Sequence, residues 1–357
     1  MSAFNGSSAS VRLSVRGRRA WRALDRRWRI ARRFVPSYWH TDRPILVHLV
    51  PTRFCNYRCA YCREYSTKEQ HVPVDELLAR VDRVAELGTV AVALSGGEPM
   101  AHPQCPEIVR HIRRRGMCAG VITNGSYLSA GAIARLNEAG LDELQISIDN
   151  CEPDEVSEKS LRTLMPQLAL LKELAAFDVT INSVLGGGVA RPDDALAIAA
   201  AARRLGFKAT VGLVHDAKGQ LAPLDAEARA AYDAIRASTR SRLPFARRLS
   251  DRIGIGSLQD NLANGRPNDW SCRAGARYLY VDEHGKVQPC SQTRFAGLID
   301  QPLALYTKAD ISRWYRTPKS CAPFCTIGCV MRVSRLDAGR NRHAQPPAGR
   351  APAATAG

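Results

Sequence analysis

Short apolar runs alternate with longer amphipathic stretches from about residue 44 to 238. The runs 45–50, 89–94, 118–122, 143–148, 179–185 and 208–214 have the length and β-branched content of strands. Between them, 74–87, 105–115, 129–139, 157–176 and 193–205 carry apolar residues at helical spacing, and a last helix is predicted over 225–238. Strands separated by helices imply parallel βαβ units. Six units predict an α/β fold, a partial (β/α)6 TIM-like barrel in preference to a closed eight-unit one.

The flanks read differently. Residues 1–11 are small and polar and are expected to be disordered. Over 12–35, Trp21, Leu24, Trp28, Ala31 and Val35 recur at helical spacing with arginines opposite, and Pro36 is expected to stop that helix. Residues 239–270 read as an irregular bridge, and 271–336 as a cysteine-rich extension with little regular structure. A hairpin is predicted at 278–289, around Glu283-His284-Gly285. The tail over 337–357 is rich in Ala, Pro, Gly and Arg and is expected to be disordered. The predicted division is therefore an arm (1–43), a barrel (44–238), a bridge (239–270), an extension (271–336) and a tail (337–357).

The 357 residues carry a formal net charge of +17. Residues 12–33 hold ten arginines and one acid, Asp25, a net of +9, so the basic character belongs to the arm. Trp21, Trp28 and Phe34 among those arginines suit a helix lying on an anionic membrane surface. Packing on the barrel by the Trp face ranks second, and RNA third, because no aromatic-rich strand or RNA module accompanies the arm. No apolar run is long enough to span a bilayer and no secretory h-region follows the basic start, which predicts a cytoplasmic chain, at most peripheral at the inner membrane surface.

Eight of the eleven cysteines fall in two groups, a pattern of thiolate metal ligation in a reducing compartment. Cys55, Cys59 and Cys62 form C-x3-C-x2-C directly after the first strand, on the barrel face where chemistry is done. Three thiolates that close can hold three corners of a cubane and leave one iron open. The bland alternative is a structural zinc site completed by His71.

These residues resemble the radical SAM (S-adenosylmethionine) superfamily. C-x3-C-x-aromatic-C follows its first strand, and Tyr61 fills the aromatic slot. Ser95-Gly96-Gly97-Glu98-Pro99 is similar to the family's GGEP motif after the second strand. Thr123-Asn124-Gly125, Ser147-Ile148-Asp149 and Ser183-Val184-Leu185-Gly186-Gly187-Gly188 stand at the next three strand ends. The resemblance covers about 44–235. It implies a 4Fe-4S cluster on Cys55, Cys59 and Cys62. It also implies SAM held by the Gly96–Gly97 edge and Glu98 at its amino group, by Ser147 and Asp149 at its ribose, and by the backbone near Tyr61 at adenine. Asn124 is placed with them. Read singly, Asp149 is equally well a cap or turn, and Asn124 a turn residue. The implied reaction is reductive cleavage of SAM to a 5′-deoxyadenosyl radical that takes hydrogen from a substrate, with an electron donor such as flavodoxin or ferredoxin.

Cys272, Cys290, Cys321, Cys325 and Cys329 follow the barrel. C-x12-G-x4-C over Cys272, Gly285 and Cys290 is similar to the opening of the SPASM or twitch extension, which binds an auxiliary 4Fe-4S cluster. The closing part departs from SPASM, with Cys321-x3-Cys325-x3-Cys329 and no later cysteine. Five thiolates suffice for one cubane with one to spare: Cys272, Cys290 and two of the last three. Zinc, or plain thiols, is the alternative; on one helix, C-x3-C-x3-C would suit any soft metal. Cys105, Cys118 and Cys151 show no grouping and read as core or incidental residues.

Two classes of function follow. One is a radical SAM enzyme acting on a small molecule, a lipid-linked compound or a peptide. The other is an iron–sulfur or zinc scaffold or electron carrier without SAM chemistry, which would have no use for Glu98 or Asp149. Peptide maturases of the family often carry an N-terminal winged helix, and 43 residues are too few for one, which weakens the peptide reading. His215 and Asp216, after the sixth strand, read as a turn or a base.

Overall fold

The computed structural model describes residues 5–68, 70–186, 191–214, 221, 223–240 and 255–338. A helix, α1 (Asn5–Trp39), precedes the sheet. Six strands follow: β1 (Leu46–Thr52), β2 (Ala91–Gly96), β3 (Cys118–Thr123), β4 (Glu143–Ser147), β5 (Asp178–Gly186) and β6 (Lys208–Val214). Each pairs in parallel with the next. Helices α2 (Val74–Glu86), α3 (Cys105–Arg114), α4 (Ala130–Ala139), α5 (Leu161–Leu174) and α6 (Pro192–Arg204) connect them, and α7 (Ala226–Arg240) follows. The alternation is that of the predicted partial barrel.

Local chemistry sets these boundaries. On α2, Leu77, Val81 and Val84 are buried at helical spacing and meet Val47, Leu49, Val92 and Leu94 of the sheet. Helix α4 begins at Ser129, whose hydroxyl accepts from the Ala132 amide, and ends at Gly140 in the left-handed region with φ +84°.

The extension is more regular than its sequence suggests. Helix α8 (Ile255–Ala263) occupies part of the expected irregular bridge, and two further helices, α9 (Lys308–Arg316) and α10 (Gly328–Arg335), lie beyond. The predicted hairpin is present as β7 (Tyr278–Val281) and β8 (Lys286–Gln288), and a short β9 (Gln301–Pro302) pairs with β8. β7 also pairs in parallel with β1, Leu46 opposite Tyr278, so the sheet order is β6-β5-β4-β3-β2-β1-β7-β8-β9. All four β7 residues are buried. Leu279 and Val281 enter the main core, while Tyr278 and Tyr280 pack with Trp270, Cys272, Cys290 and Met331.

Three expectations at the ends are corrected. The helix begins at Asn5, inside the segment expected to be disordered, and it runs through Pro36 to Trp39. The turn beyond the proline is held from outside: the buried Arg277 guanidinium donates to the Ser37, His40 and Arg43 carbonyls at 2.7, 3.1 and 2.6 Å. Asp337, the first residue of the expected disordered tail, is buried against Arg277 at 2.9 Å. Gly187, Gly188, His215, Asp216, residues 241–254 of the bridge and the tail beyond 338 lie outside the described residues. Among the described residues no helix is long and apolar enough to cross a membrane.

Candidate active site

The loops at the C-terminal ends of β1 to β4 are tied to one another by backbone. Cys55 N–H donates to Ser66 and Ser66 N–H to Arg53, at 3.2 and 2.7 Å, closing the cysteine loop on itself. The Gly97 and Glu98 amides donate to Thr52 and Phe54 at 3.0 and 2.7 Å, and Ala60 N–H donates to Val156 at 2.9 Å. The cysteine loop thus lies between the loop after β2 and the one after β4. Gly97 sits where backbone meets backbone, for a Cβ there would lie 2.3 Å from both the Arg53 and Phe54 carbonyl oxygens. Gly97→Ala must push the two loops apart, and a shift of that kind can slow a reaction roughly 100-fold. The expected outcome is that loss in deoxyadenosine release, together with a lowered thermal midpoint.

Each thiol of the loop has a polar neighbour. The Asn124 side-chain amide is 3.7 Å from Cys55 Sγ, Ser157 Oγ is 3.4 Å from Cys59 Sγ, and Glu64 N–H donates to Cys62 Sγ at 3.4 Å. Burial raises the Cys55 thiol above its ordinary range and pushes Cys62 up to about 11. Three thiols held on one short loop suit a bound cluster, whose metal takes each as thiolate. His71, the alternative fourth zinc ligand, packs instead against Phe54 and His102 with ring centroids 6.1 and 5.2 Å away.

The other predicted residues surround this loop. Glu98 is fully buried. It accepts from Thr123 Oγ1 at 2.6 Å, the Asn124 amide at 2.7 Å and the Met100 amide at 2.9 Å. Burial raises its carboxyl above the ordinary value, and those donors offset part of the rise. In this state Glu98 braces the loops after β2 and β3. The Asn124 side chain also donates to Asn56 Oδ1 at 2.9 Å. Gly96 has φ +115°, open to glycine alone without strain. Ser147 ends β4 opposite Asn182.

Asp149 is buried at the centre of a network that spacing did not reveal. It accepts from Tyr61 Oη and from Ser157 Oγ, the latter at 2.7 Å, and lies 2.9 Å from Lys159 Nζ. Lys159 also donates to the Tyr61 hydroxyl and lies over that ring, 5.0 Å from its centroid. Burial disfavours the Lys159 cation, yet Asp149 and Tyr61 raise its pKa well above the ordinary lysine range. Ser157 and Lys159 belong to the segment before α5, and only tertiary folding brings them back to the cysteine loop.

The second cysteine group lies on the extension. Cys272 and Cys290 are buried, Cys325 and Cys329 partly so, and Cys321 is exposed. The three late cysteines do not share a helix: Cys321 and Cys325 flank a single 3-10 turn, and only Cys329 lies on α10. The chain leaves the turn at Cys325, whose backbone is extended, before α10 begins. Burial pushes Cys272 up to about 12 and Cys329 to about 11. Tyr280 Oη donates to Glu64 at 2.8 Å, and Glu283 pairs with Arg294 and, at 3.7 Å, with Arg53. Buried polar contacts thus connect the extension with the first cysteine loop.

The profile of the radical SAM superfamily matches residues 49–215, a span that takes in the cysteine loop, the Gly96–Glu98 edge and the Asp149 network. The match covers a little under half of the chain, and over that span the sequence is that of a radical SAM domain. Its cofactors are those of the superfamily, a 4Fe-4S cluster and SAM. A PqqA peptide cyclase of Gluconobacter oxydans is 28% identical over 251 residues, 67% of this chain and 68% of the cyclase. A Streptomyces rochei PqqA peptide cyclase is 30% identical over 143 residues, 38% of this chain and 39% of that enzyme, so that match spans well under half of the relative. Among solved structures, Streptococcus suis SuiB bound to its precursor peptide SuiA superposes with a TM-score of 0.58 at 12% identity, over 80% of this chain and 68% of SuiB. At that identity the likeness is one of fold.

Proposed function

We propose that this chain is a radical SAM enzyme that modifies a peptide by hydrogen abstraction. The observation that carries the proposal is the placement of Cys55, Cys59 and Cys62 between the Gly96–Gly97 edge and the Tyr61–Asp149–Lys159 network, at the C-terminal ends of the parallel strands. Bound together, a reduced 4Fe-4S cluster and SAM supply a 5′-deoxyadenosyl radical. The chain's own part is to hold the three thiols and to offer the glycine edge to the methionine end of SAM. Ser147 and Asp149 orient the ribose, and Glu98 keeps the loops in place. A peptide is preferred over a small or lipid-linked substrate because PqqA peptide cyclases are relatives and SuiB carries a precursor peptide on the same fold.

In this reading the arm is 1–43, the SAM-binding barrel 44–238, the bridge 239–270 and the auxiliary-cluster extension 271–336, with a tail over 337–357. Four of Cys272, Cys290, Cys321, Cys325 and Cys329 hold a second 4Fe-4S cluster. The setting is a reducing cytoplasm with flavodoxin or ferredoxin as electron donor. The test is anaerobic reconstitution with iron and sulfide, then reduction with dithionite in the presence of SAM. About eight irons per chain and release of 5′-deoxyadenosine are expected, with release rising when the substrate peptide is added. About four irons would leave the extension without its cluster. Failure to bind SAM would overturn the enzyme reading.

A further inference from the structure

Helix α1 is turned inside out relative to an ordinary surface helix. Successive residues turn by about 100°, so Arg22, Arg26, Arg29 and Arg33 share one face, and that face grips the barrel. Arg22 donates to the Asn137 carbonyl, and Arg26 pairs with Asp178 at 2.9 Å. Arg29 pairs with Asp142 at 2.7 Å, and Arg33 donates to the Thr89 carbonyl at 2.9 Å. The opposite face, Leu24, Trp28, Ala31, Val35 and Trp39, points to solvent. Trp28 is 68% exposed, Trp39 73%, Leu24 59% and Val35 55%. Soluble helices bury their apolar stripe against the core and show the polar one. Here polar contacts, with Phe34 packed on the core beside Tyr278, hold the helix down and the apolar stripe is left outward. The sequence alternative of packing by the Trp face is thereby replaced by packing through the arginines.

The stripe is flanked by cations. Arg27 and Arg32 are exposed on its two sides. Beside it a cleft of about 320 Å³ is lined by Arg32, Arg33, Arg43 and Lys308, with Glu86 the acid in its lining and Asp42 3.8 Å from Lys308. Arg43 Nε is buried there without a hydrogen-bond partner. Tryptophans among basic residues are suited to the boundary between headgroups and acyl chains, where the rings enter and the guanidinium groups meet phosphates. A second copy of the chain would bring the same cations to the same strip and be repelled.

We infer that α1 docks the enzyme on an anionic membrane surface, with Trp28, Val35 and Trp39 entering the interface and the Arg32–Arg43–Lys308 cleft receiving a lipid phosphate. The helix contacts Thr89, Asp142 and Asp178, at or just before the N-terminal ends of β2, β4 and β5, whereas the cysteine loop follows the C-terminal end of β1. A docked chain therefore opens its active site away from the bilayer, toward a soluble substrate.

The test is co-sedimentation of the full reconstituted chain with vesicles of phosphatidylglycerol and phosphatidylcholine, against phosphatidylcholine alone, at low and high salt. Expected is binding to the anionic vesicles only, weakened at least tenfold by salt, by R27E/R32E, and by W28S/V35S/W39S. Deoxyadenosine release without vesicles should be unchanged in both variants, because all five residues lie outside the site. Absence of binding to anionic vesicles, or equal binding by the serine variant, overturns the inference. So does a dimer in light scattering that the serine variant dissolves, which would make the strip an interface between copies.

Discussion

Changing Cys55, Cys59 and Cys62 together to alanine is expected to bring 5′-deoxyadenosine release down to the level of reagents alone, while iron falls from about eight to about four per chain. The three side chains sit on a loop closed by backbone bonds of Cys55, Ser66 and Arg53, so their removal takes away ligands without opening the fold. The circular dichroism spectrum should be unchanged. The half-loss of iron is the informative part, for it requires the extension to hold a cluster on its own cysteines. Complete loss of iron would mean that the two groups assemble together. Undiminished release would remove these cysteines from the reaction.

The largest effect on stability is expected from Arg277→Ala. Its guanidinium is fully buried and lies 2.9 Å from Asp337, whose side chain is also fully buried. The same group donates to the carbonyls of Ser37, His40 and Arg43. Removing it strands a buried carboxylate, and breaking a buried pair from one side destabilises by about 3–5 kcal/mol. Three carbonyls at the end of α1 lose their donor as well. Denaturant unfolding should show a lower midpoint, equivalent to a loss of that size in unfolding free energy, with an unchanged slope. Replacing both partners, R277M with D337L, should recover a large part of the loss, because no lone charge is then buried. If the single variant unfolds like the parent, Arg277 is not the anchor described.

Much of this was legible from the chain. The strands and helices of the barrel follow from periodicity, because each βαβ unit buries its apolar face against its neighbours and little else decides its form. The cysteine loop and the Gly96–Glu98 edge were legible because their chemistry is local, held within eight and three residues. Lys159 and Ser157 were not: they meet Tyr61, Cys59 and Asp149 only after the loop past β4 has folded over the cysteine loop. Asp337 was read as tail because a single acid carries no sign of a partner 60 residues earlier (337 minus 277). The arm was half legible. Its amphipathic pattern shows in sequence, but which face binds the barrel depends on Asp142, Asp178 and carbonyls of the strand-entry loops.

Pairing of β1 with β7 ties the timing of synthesis to the soundness of the sheet. Leu46 and Tyr278 are 232 residues apart (278 minus 46), and translation covers that distance in on the order of 10 to 50 s. Until then one side of β1 offers unpaired amides and carbonyls, an edge that other chains can join. The nascent protein thus passes through a long interval in which its first strand is sticky and its cysteine loop is already made. A chaperone holding that edge would be of most use during this interval, and a chain cut short before Tyr278 would never leave it.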